Sequence, residues 1–312
     1  MNLRKFNKLQ SALTLLALYL VAIALGALAY HLSGNFLDDV LVRLLIADII
    51  ATLLVFGFGL LIRNSSAYDP YWSVIPPVIL FAIVGILQVK ITLGSAMLLG
   101  AVTLWAVRLT INWYLNWEDF SSQDWRYTMI HDRQPRIWFL SNLFGIHLMP
   151  TAIVFIQLIG ATRVLAMEPG FHPLILLGFL MSLSAALIQY VADRQMMRFR
   201  LTHQGQKACI EEGLWKYSRH PNYFGEVWMW WGVWIMYFGA SGTLDITLIA
   251  PVLMTALFLF ISIPMMEKKI LLSRPQYQEY RSRVSVLIPF FPKRKLASGS
   301  IETDSDPDHL SL

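Results

Sequence analysis

The stretch GLWKYSRHPNYFGE, which ends at Glu226, concentrates side chains that can bind anions and exchange protons. Pro221 suits the first turn of a helix, because its missing N–H would have no partner there. The free backbone N–H groups of that turn, beside Arg219 and His220, would form an anion site. Asn222 and Glu226 are four residues apart and share a helix face. Glu226 would lie about one turn below the membrane surface, where a carboxylate usually marks a functional site.

The same stretch has a simpler interpretation. Lys216, Arg219 and His220 could be basic residues that only fix the orientation of the chain in the membrane. Asn222 and Glu226 could brace neighbouring helices. Spacing alone leaves both interpretations open for the basic residues, whereas the complete stretch favours a binding site.

A second pair of charged residues follows a long apolar segment. Asp193 and Arg200 are seven residues apart and would share a face if that helix continues past the membrane. Such a helix could reach a bound nucleotide and place Arg200 on a phosphate. On spacing alone, a solvated helix end is the simpler interpretation.

Two polar pairs lie at the edges of other apolar segments. Asp69 and Tyr71 can donate or relay a proton if they are held in a dry pocket; alternatively, Asp69-Pro70 forms a turn and Tyr71 is an interface anchor. Arg108 and Asn112 share a helix face and either line a cofactor cavity or extend to the lipid headgroups. A further carboxylate, Asp48, lies within an apolar segment without an obvious partner.

The elements that must position these residues are membrane helices. Of the 312 residues, 56% are hydrophobic and 14% are charged, whereas soluble domains carry roughly 25% charged residues. The single cysteine excludes a disulfide or a cysteine metal cluster within the chain. Predominantly apolar segments are long enough for eight spans: Leu9–Leu37, Leu41–Ile62 (with Arg43 near one end and Asp48 inside), Trp72–Val89, Ile91–Val107, Ile137–Thr162, Phe171–Ala192, Pro221–Gly239 and Ile246–Met266.

The distribution of Lys and Arg predicts the topology. With a cytoplasmic N-terminus, all of the 25 basic residues except Arg43, Lys90 and Arg163 fall on the cytoplasmic side. The predicted fold is therefore an all-α polytopic membrane bundle of about eight helices with both termini cytoplasmic. We divide it into N-terminal transmembrane helices (1–62), a membrane domain with the candidate residues (63–292) and a disordered cytoplasmic tail (293–312).

The GLWKYSRHPNYFGE stretch resembles the signature of the steroid 5α-reductase C-terminal domain family, and most closely that of its bacterial membrane branch. Further segments match as well: YDPYW from Tyr68, the runs Arg108–Trp113, Glu118–Tyr127 and Ala192–Phe199, and PMMEK from Pro264 followed by Tyr277, Tyr280 and Ile288-Pro289. The similarity covers roughly residues 63–292.

This resemblance implies an integral membrane reductase, most naturally in a bacterial inner membrane, that binds NADPH from the cytosol. Hydride would pass to the β-carbon of a lipophilic enone, which is sterol- or isoprenoid-like and enters from the bilayer; no metal and no nucleic-acid partner is expected. Trp105 stands where the family's catalytic tyrosine is expected, so we assign the proton donor to Tyr71 or Asp69. The resemblance, together with the spacing arguments above, assigns the following residues to the cofactor: Arg108, Asn112, Asp193, Arg200, Arg219, His220, Asn222, Tyr223, Glu226 and Tyr280.

Two other functions compete with this one. Isoprenylcysteine and phospholipid methyltransferases share a similar Arg-His-Pro-x-Tyr-x-Gly turn, which there faces S-adenosylmethionine. The longer match from Asn222 through Glu226, with Asp193 upstream, favours the reductase. A transporter or scaffold without catalytic activity is the third hypothesis.

Overall fold

In the computed structural model, residues 6–293 are described. Their long helices run back and forth between two ends of one bundle, and no strand occurs in this part of the chain. The helices are α1 (Lys8–Ser33), α2 (Val40–Ile62), α3 (Tyr71–Ile86), α4 (Leu93–Asn116), α5 (Trp125–Arg133), α6 (Pro135–Met167), α7 (Pro173–Thr202), α8 (Pro221–Ser241), α9 (Ile246–Ser273) and α10 (Tyr277–Arg283). The predicted all-α polytopic bundle is confirmed, whereas the predicted tail lies, from residue 294 on, outside the described residues.

Seven helices of the described part are long and apolar enough to cross a membrane, and α8 is not among them. Its 21 residues would span roughly 30 Å, but its tryptophans and tyrosines lower its mean hydropathy. α8 nevertheless runs between the same two ends of the bundle as the other long helices, which is the path that the predicted eighth span requires. It begins at the end of the bundle where α7 finishes, and near its other end Tyr237 donates a hydrogen bond to Asp245, the residue before α9.

Local sequence explains where several helices begin and bend. Asp39 caps α2 by accepting a hydrogen bond from the backbone of Val42, and prolines occupy the first turns of α7 and α8. Two long helices contain π-helical turns, at Ser141–Leu148 in α6 and Leu257–Ser262 in α9, each followed closely by a proline. A proline cannot donate the helical hydrogen bond, so the preceding turn widens.

The N-terminal helices and the rest of the bundle share one hydrophobic core, which extends from Leu15 to Leu287. Tyr19 in α1 donates a 2.6 Å hydrogen bond to the carbonyl of Ala67. Asp48 in α2 accepts a 3.0 Å hydrogen bond from Tyr71 in α3. The predicted division at residue 62 therefore does not coincide with a break in packing.

The α7–α8 pair forms the closest helix contact, and two glycines allow it. A Cβ atom on Gly178 would lie 2.3 Å from the carbonyl oxygen of Gly232, and one on Gly232 would lie 2.6 Å from the carbonyl oxygen of Gly178. Small residues at such crossings are typical of membrane bundles. Because α7 carries Asp193 and α8 carries Asn222, this contact also positions these two predicted site residues.

We expect Gly178→Ala to lower the free energy of unfolding by about 1–3 kcal/mol, since backbone atoms must move to admit the methyl group. Gly100→Ala is the matched control, because no atom lies within 4 Å of a Cβ at that position. Thermal unfolding of both variants in the same detergent measures the difference. Equal melting temperatures for the two variants would contradict the close packing described here.

Candidate functional site

A cavity of about 1020 Å³ lies at the end of the bundle where α4, α7 and α9 finish and α8 begins. This is the end predicted to face the cytoplasm. Most of the predicted site residues line it: Asp69, Asn112, Asp193, Arg200, Arg219, His220, Asn222, Tyr223 and Tyr280. Three predicted residues, Tyr71, Arg108 and Glu226, lie behind its wall.

Three helices meet at Asp193. Arg108 of α4 donates a 2.9 Å hydrogen bond from Nη1 to Asp193 Oδ2 of α7, and the side chain of Asn222 in α8 lies close to this carboxylate. Arg108 therefore holds Asp193 from behind, while Asp193 and Asn222 face the cavity. This role is neither of the two that the sequence suggested for Arg108.

One turn deeper, the carboxyl group of Glu226 joins the same three helices. It accepts hydrogen bonds from Trp105 Nε1 of α4 at 2.9 Å, Gln189 Nε2 of α7 at 2.9 Å, and Trp230 Nε1 of α8 at 3.0 Å. Glu226 is 3% exposed, and no cation lies within 4.0 Å of it among residues 6–293. Its assignment to the cofactor stays a prediction; its observed contacts fix the helices behind the cavity.

The hydrogen bonds of Glu226 explain how the Asp193 layer, formed by Arg108, Asp193 and Asn222, is positioned. Trp105 precedes Arg108 by three residues, Gln189 precedes Asp193 by four, and Glu226 follows Asn222 by four. Each of these spacings places both members of the pair on one helix face. The Glu226 layer, formed by Trp105, Gln189 and Glu226, therefore sets the register in which the residues of the Asp193 layer come together.

One side of the cavity carries basic side chains that lack acidic partners. Arg200, Lys269 and Arg274 line it, and none has a carboxylate within 4.0 Å in the described part of the chain. Lys269 lies 3.9 Å from the centre of the Trp125 ring, and Phe199 stacks on the His203 ring nearby at 4.3 Å. Unpaired cations beside flat rings fit a ligand with several phosphates and an aromatic base. These residues therefore suit the predicted dinucleotide.

The two proposed proton donors are in different environments. Asp69 lines the cavity and accepts a short hydrogen bond from the Tyr127 hydroxyl. Burial raises the pKa of Tyr127, as does the charge of Asp69 beside it, so Tyr127 remains a donor at neutral pH. Tyr71 is 1% exposed and donates instead to Asp48, away from the cavity.

The wall that contains Arg219 and His220 is organised by Glu267 of α9. The carboxylate of Glu267 lies 3.2 Å from His220 Nε2 and 3.2 Å from Arg219 Nε, and its other oxygen lies 3.1 Å from Arg281 Nε. Burial lowers the pKa of His220, while Glu267 acts in the opposite direction. Tyr280 is anchored separately, because its hydroxyl donates to the backbone carbonyl of Trp215 at 2.5 Å.

Several contributors to this site were not predicted as site residues. Glu267 and the bidentate Arg126–Asp124 pair at the cavity edge lie in matching segments, and Lys269 and Arg274 were recognised only as topology signals. Lys269 follows Glu267 by two residues, so the two side chains point to different sides of the helix. Helical spacing alone does not show which of these two residues points into the cavity.

We expect Glu226→Ala to lower stability by several kcal/mol, since each buried N–H left without an acceptor costs about 1–3 kcal/mol. Glu226→Gln keeps an acceptor oxygen and should lose less. Glu118→Ala is the control, because Glu118 is exposed. Thermal unfolding followed by tryptophan fluorescence reports the order directly. A Glu226→Ala melting temperature equal to that of Glu118→Ala would refute the structural role.

Residues 55–284 match the model of a family described as a protein of unknown function, DUF1295. The match includes all twelve residues that the sequence assigned to catalysis or to the cofactor. No curated protein and no solved structure matches the chain.

Proposed function

The chain belongs to the DUF1295 family, and from the cavity that it builds we propose that it is an NADPH-dependent membrane reductase acting on a C=C bond conjugated to a carbonyl. One observation carries this proposal. A single cavity combines unpaired cations on one side with a carboxylate, Asp69, that is held by a tyrosine hydroxyl on another. Such a cavity can bind a polyanionic cofactor and also deliver a proton.

The cofactor residues fall into two groups. Arg200, Lys269 and Arg274 provide positive charge for the phosphates, and Asp193 and Asn222 provide acceptors and a donor for ribose hydroxyl or carboxamide groups. NADPH supplies a hydride when it is bound. The volume of about 1020 Å³ lies at the upper end of the roughly 300–1,000 Å³ that is usual for ligand sites, as a large cofactor requires.

The reaction needs one hydride and one proton. As hydride reaches the β-carbon, negative charge develops on the carbonyl oxygen of the substrate, where Asp69 in its protonated form donates a hydrogen bond and then the proton. The Tyr127 hydroxyl, which is bonded to Asp69, stabilises the carboxylate that remains. Protonation at oxygen gives the enol, which tautomerises so that the α-carbon carries the proton. The products are then the saturated carbonyl compound and the oxidised cofactor.

The substrate is proposed to be lipophilic, as in a sterol, an isoprenoid quinone or a fatty enal. The cavity lies at the end of apolar helices, close to the bilayer in which such a molecule dissolves. The bacterial inner membrane is the proposed location, with the cavity facing the cytosolic pool of NADPH.

A methyltransferase is the main alternative, since the Arg219–His220 turn also resembles the one that faces S-adenosylmethionine. Thermal shift of the purified protein separates the two functions. We expect stabilisation by NADPH and none by S-adenosylmethionine. Stabilisation by S-adenosylmethionine alone would overturn the proposal, and stabilisation by neither would favour a transporter or scaffold.

We expect Arg200→Gln to weaken NADPH binding about tenfold, because a charge-assisted hydrogen bond to phosphate contributes roughly 1.5–3 kcal/mol. Arg198→Gln is the matched control: Arg198 lies on the same exposed helix end but does not line the cavity. Titration of NADPH followed by cofactor fluorescence measures both affinities. Equal affinities in the two variants would exclude Arg200 from the phosphate site.

We expect Asp69→Asn to lower the rate of NADPH oxidation about 10²–10⁴-fold, the usual effect of losing a general acid, while NADPH affinity is retained. Tyr71→Phe should leave the rate close to that of the wild type, because Tyr71 points to Asp48. The assay uses a cholestenone and a long-chain enal presented in micelles. A rate loss confined to Tyr71→Phe would move the proton donor to the Asp48–Tyr71 pair.

A further inference from the structure

A second groove, of about 530 Å³, lies on the other side of α9 from the cavity. Its floor and rim carry charged side chains, namely Arg219, Glu267, Lys268 and Arg281. Its walls are apolar: Leu259, Ile263, Pro264, Leu271, Leu272 and Val286. The groove therefore combines a charged end and an apolar length, as an amphipathic ligand requires.

The charged end has a surplus of positive charge. Among residues 6–293, Glu267 is the only carboxylate lining the groove. It is already contacted by Arg219, Arg281, His220 and the Tyr277 hydroxyl. Lys268 is exposed and has no carboxylate within 4.0 Å among residues 6–293. The side chain of Arg281 is 45% exposed beside its contact with Glu267. These two cations remain available to an anion from outside.

The position of the groove identifies the kind of anion. Lys268 lies about a turn and a half before the end of α9, where a transmembrane helix passes through the headgroup layer. Apolar side chains around it are widely exposed, among them Leu272 at 77%. The chain beyond α10 exposes three more large apolar side chains at the same end: Ile288, Phe290 and Phe291. A surface of this composition lies at the lipid interface rather than in water.

We propose that this groove binds an anionic phospholipid, with the phosphate on Lys268 and Arg281 and an acyl chain along the apolar wall of α9. Basic pockets beside transmembrane helices on the cytoplasmic side are suited to such headgroups. The groove is separate from the proposed reductase chemistry, because Lys268 and the apolar wall do not line the cavity. Arg219 lines both spaces, so Glu267 and Arg219 form the partition between them.

The test compares lipid retention by the purified full chain in detergent. Phosphatidylglycerol and phosphatidylcholine with the same acyl chains are added separately, and native mass spectrometry counts the lipids that remain bound. We expect retention of phosphatidylglycerol and not of phosphatidylcholine. Equal retention of the two lipids would overturn the proposal. A melting temperature that rises as much with inorganic phosphate alone as with phosphatidylglycerol would also overturn it.

Adjacent lysines of α9 provide matched variants. Lys268→Gln removes a cation from the groove, and Lys269→Gln removes one from the cavity. We expect Lys268→Gln to reduce the affinity for phosphatidylglycerol about fivefold while NADPH binding stays unchanged, and Lys269→Gln to leave the lipid affinity at the wild-type value. An unchanged lipid affinity in Lys268→Gln would overturn the lipid site, whatever the result for NADPH.

Discussion

The buried carboxyl group of Glu226 is the interaction on which the candidate site depends. A carboxyl group in the interior of a membrane bundle is stable only if the protein supplies its hydrogen bonds, and here two tryptophans and a glutamine supply them. The donors come from three helices, so the need to satisfy one group fixes α4, α7 and α8 relative to one another. Arg108, Asp193 and Asn222 meet one turn further on as a consequence.

The Glu226 layer and the Asp193 layer differ in charge and in exposure to solvent. The deeper layer uses neutral donors around one carboxyl group and is closed to solvent. The outer layer contains full charges, but Asp193 is neutralised from behind by Arg108, which leaves its front accessible. The unpaired cations lie at the exposed side, where water reduces the cost of leaving them without partners. The nucleotide site that we propose is thus built from helix ends, without a Rossmann domain.

Local patterns in the sequence predicted much of this arrangement. Apolar runs and basic loops predicted the spans, and helix α8 was predicted from its apolar run even though its tryptophans give it a low hydropathy. The grouping of Asp193, Arg200 and Asn222 in one cavity followed from helix spacing and the family resemblance. Such patterns could not predict the contacts between helices. Spacing shows which face Arg108 occupies, but not that Asp193, on another helix, will lie opposite it.

The same limit explains why sequence patterns could not decide between Tyr71 and Asp69. They are two residues apart at the start of α3, and the sequence offered both as proton donors. Whether either faces the cavity depends on α2, which brings Asp48 to Tyr71, and on α5, which brings Tyr127 to Asp69. Neither partner is near in sequence, and only the packed bundle distinguishes the two candidates.

The partnership of Asp48 and Tyr71 also bears on the role of the N-terminal helices. The family match begins at residue 55, within α2, so α1 and the first half of α2 lie outside it. Those segments nevertheless supply Asp48 to Tyr71 and the Tyr19 hydroxyl to the Ala67 carbonyl. The Tyr19 bond holds the turn that carries Asp69, because Ala67 is two residues from it. The segments outside the family match therefore help to fix the residue to which we assign the proton, and they belong to the site as much as to the membrane anchor.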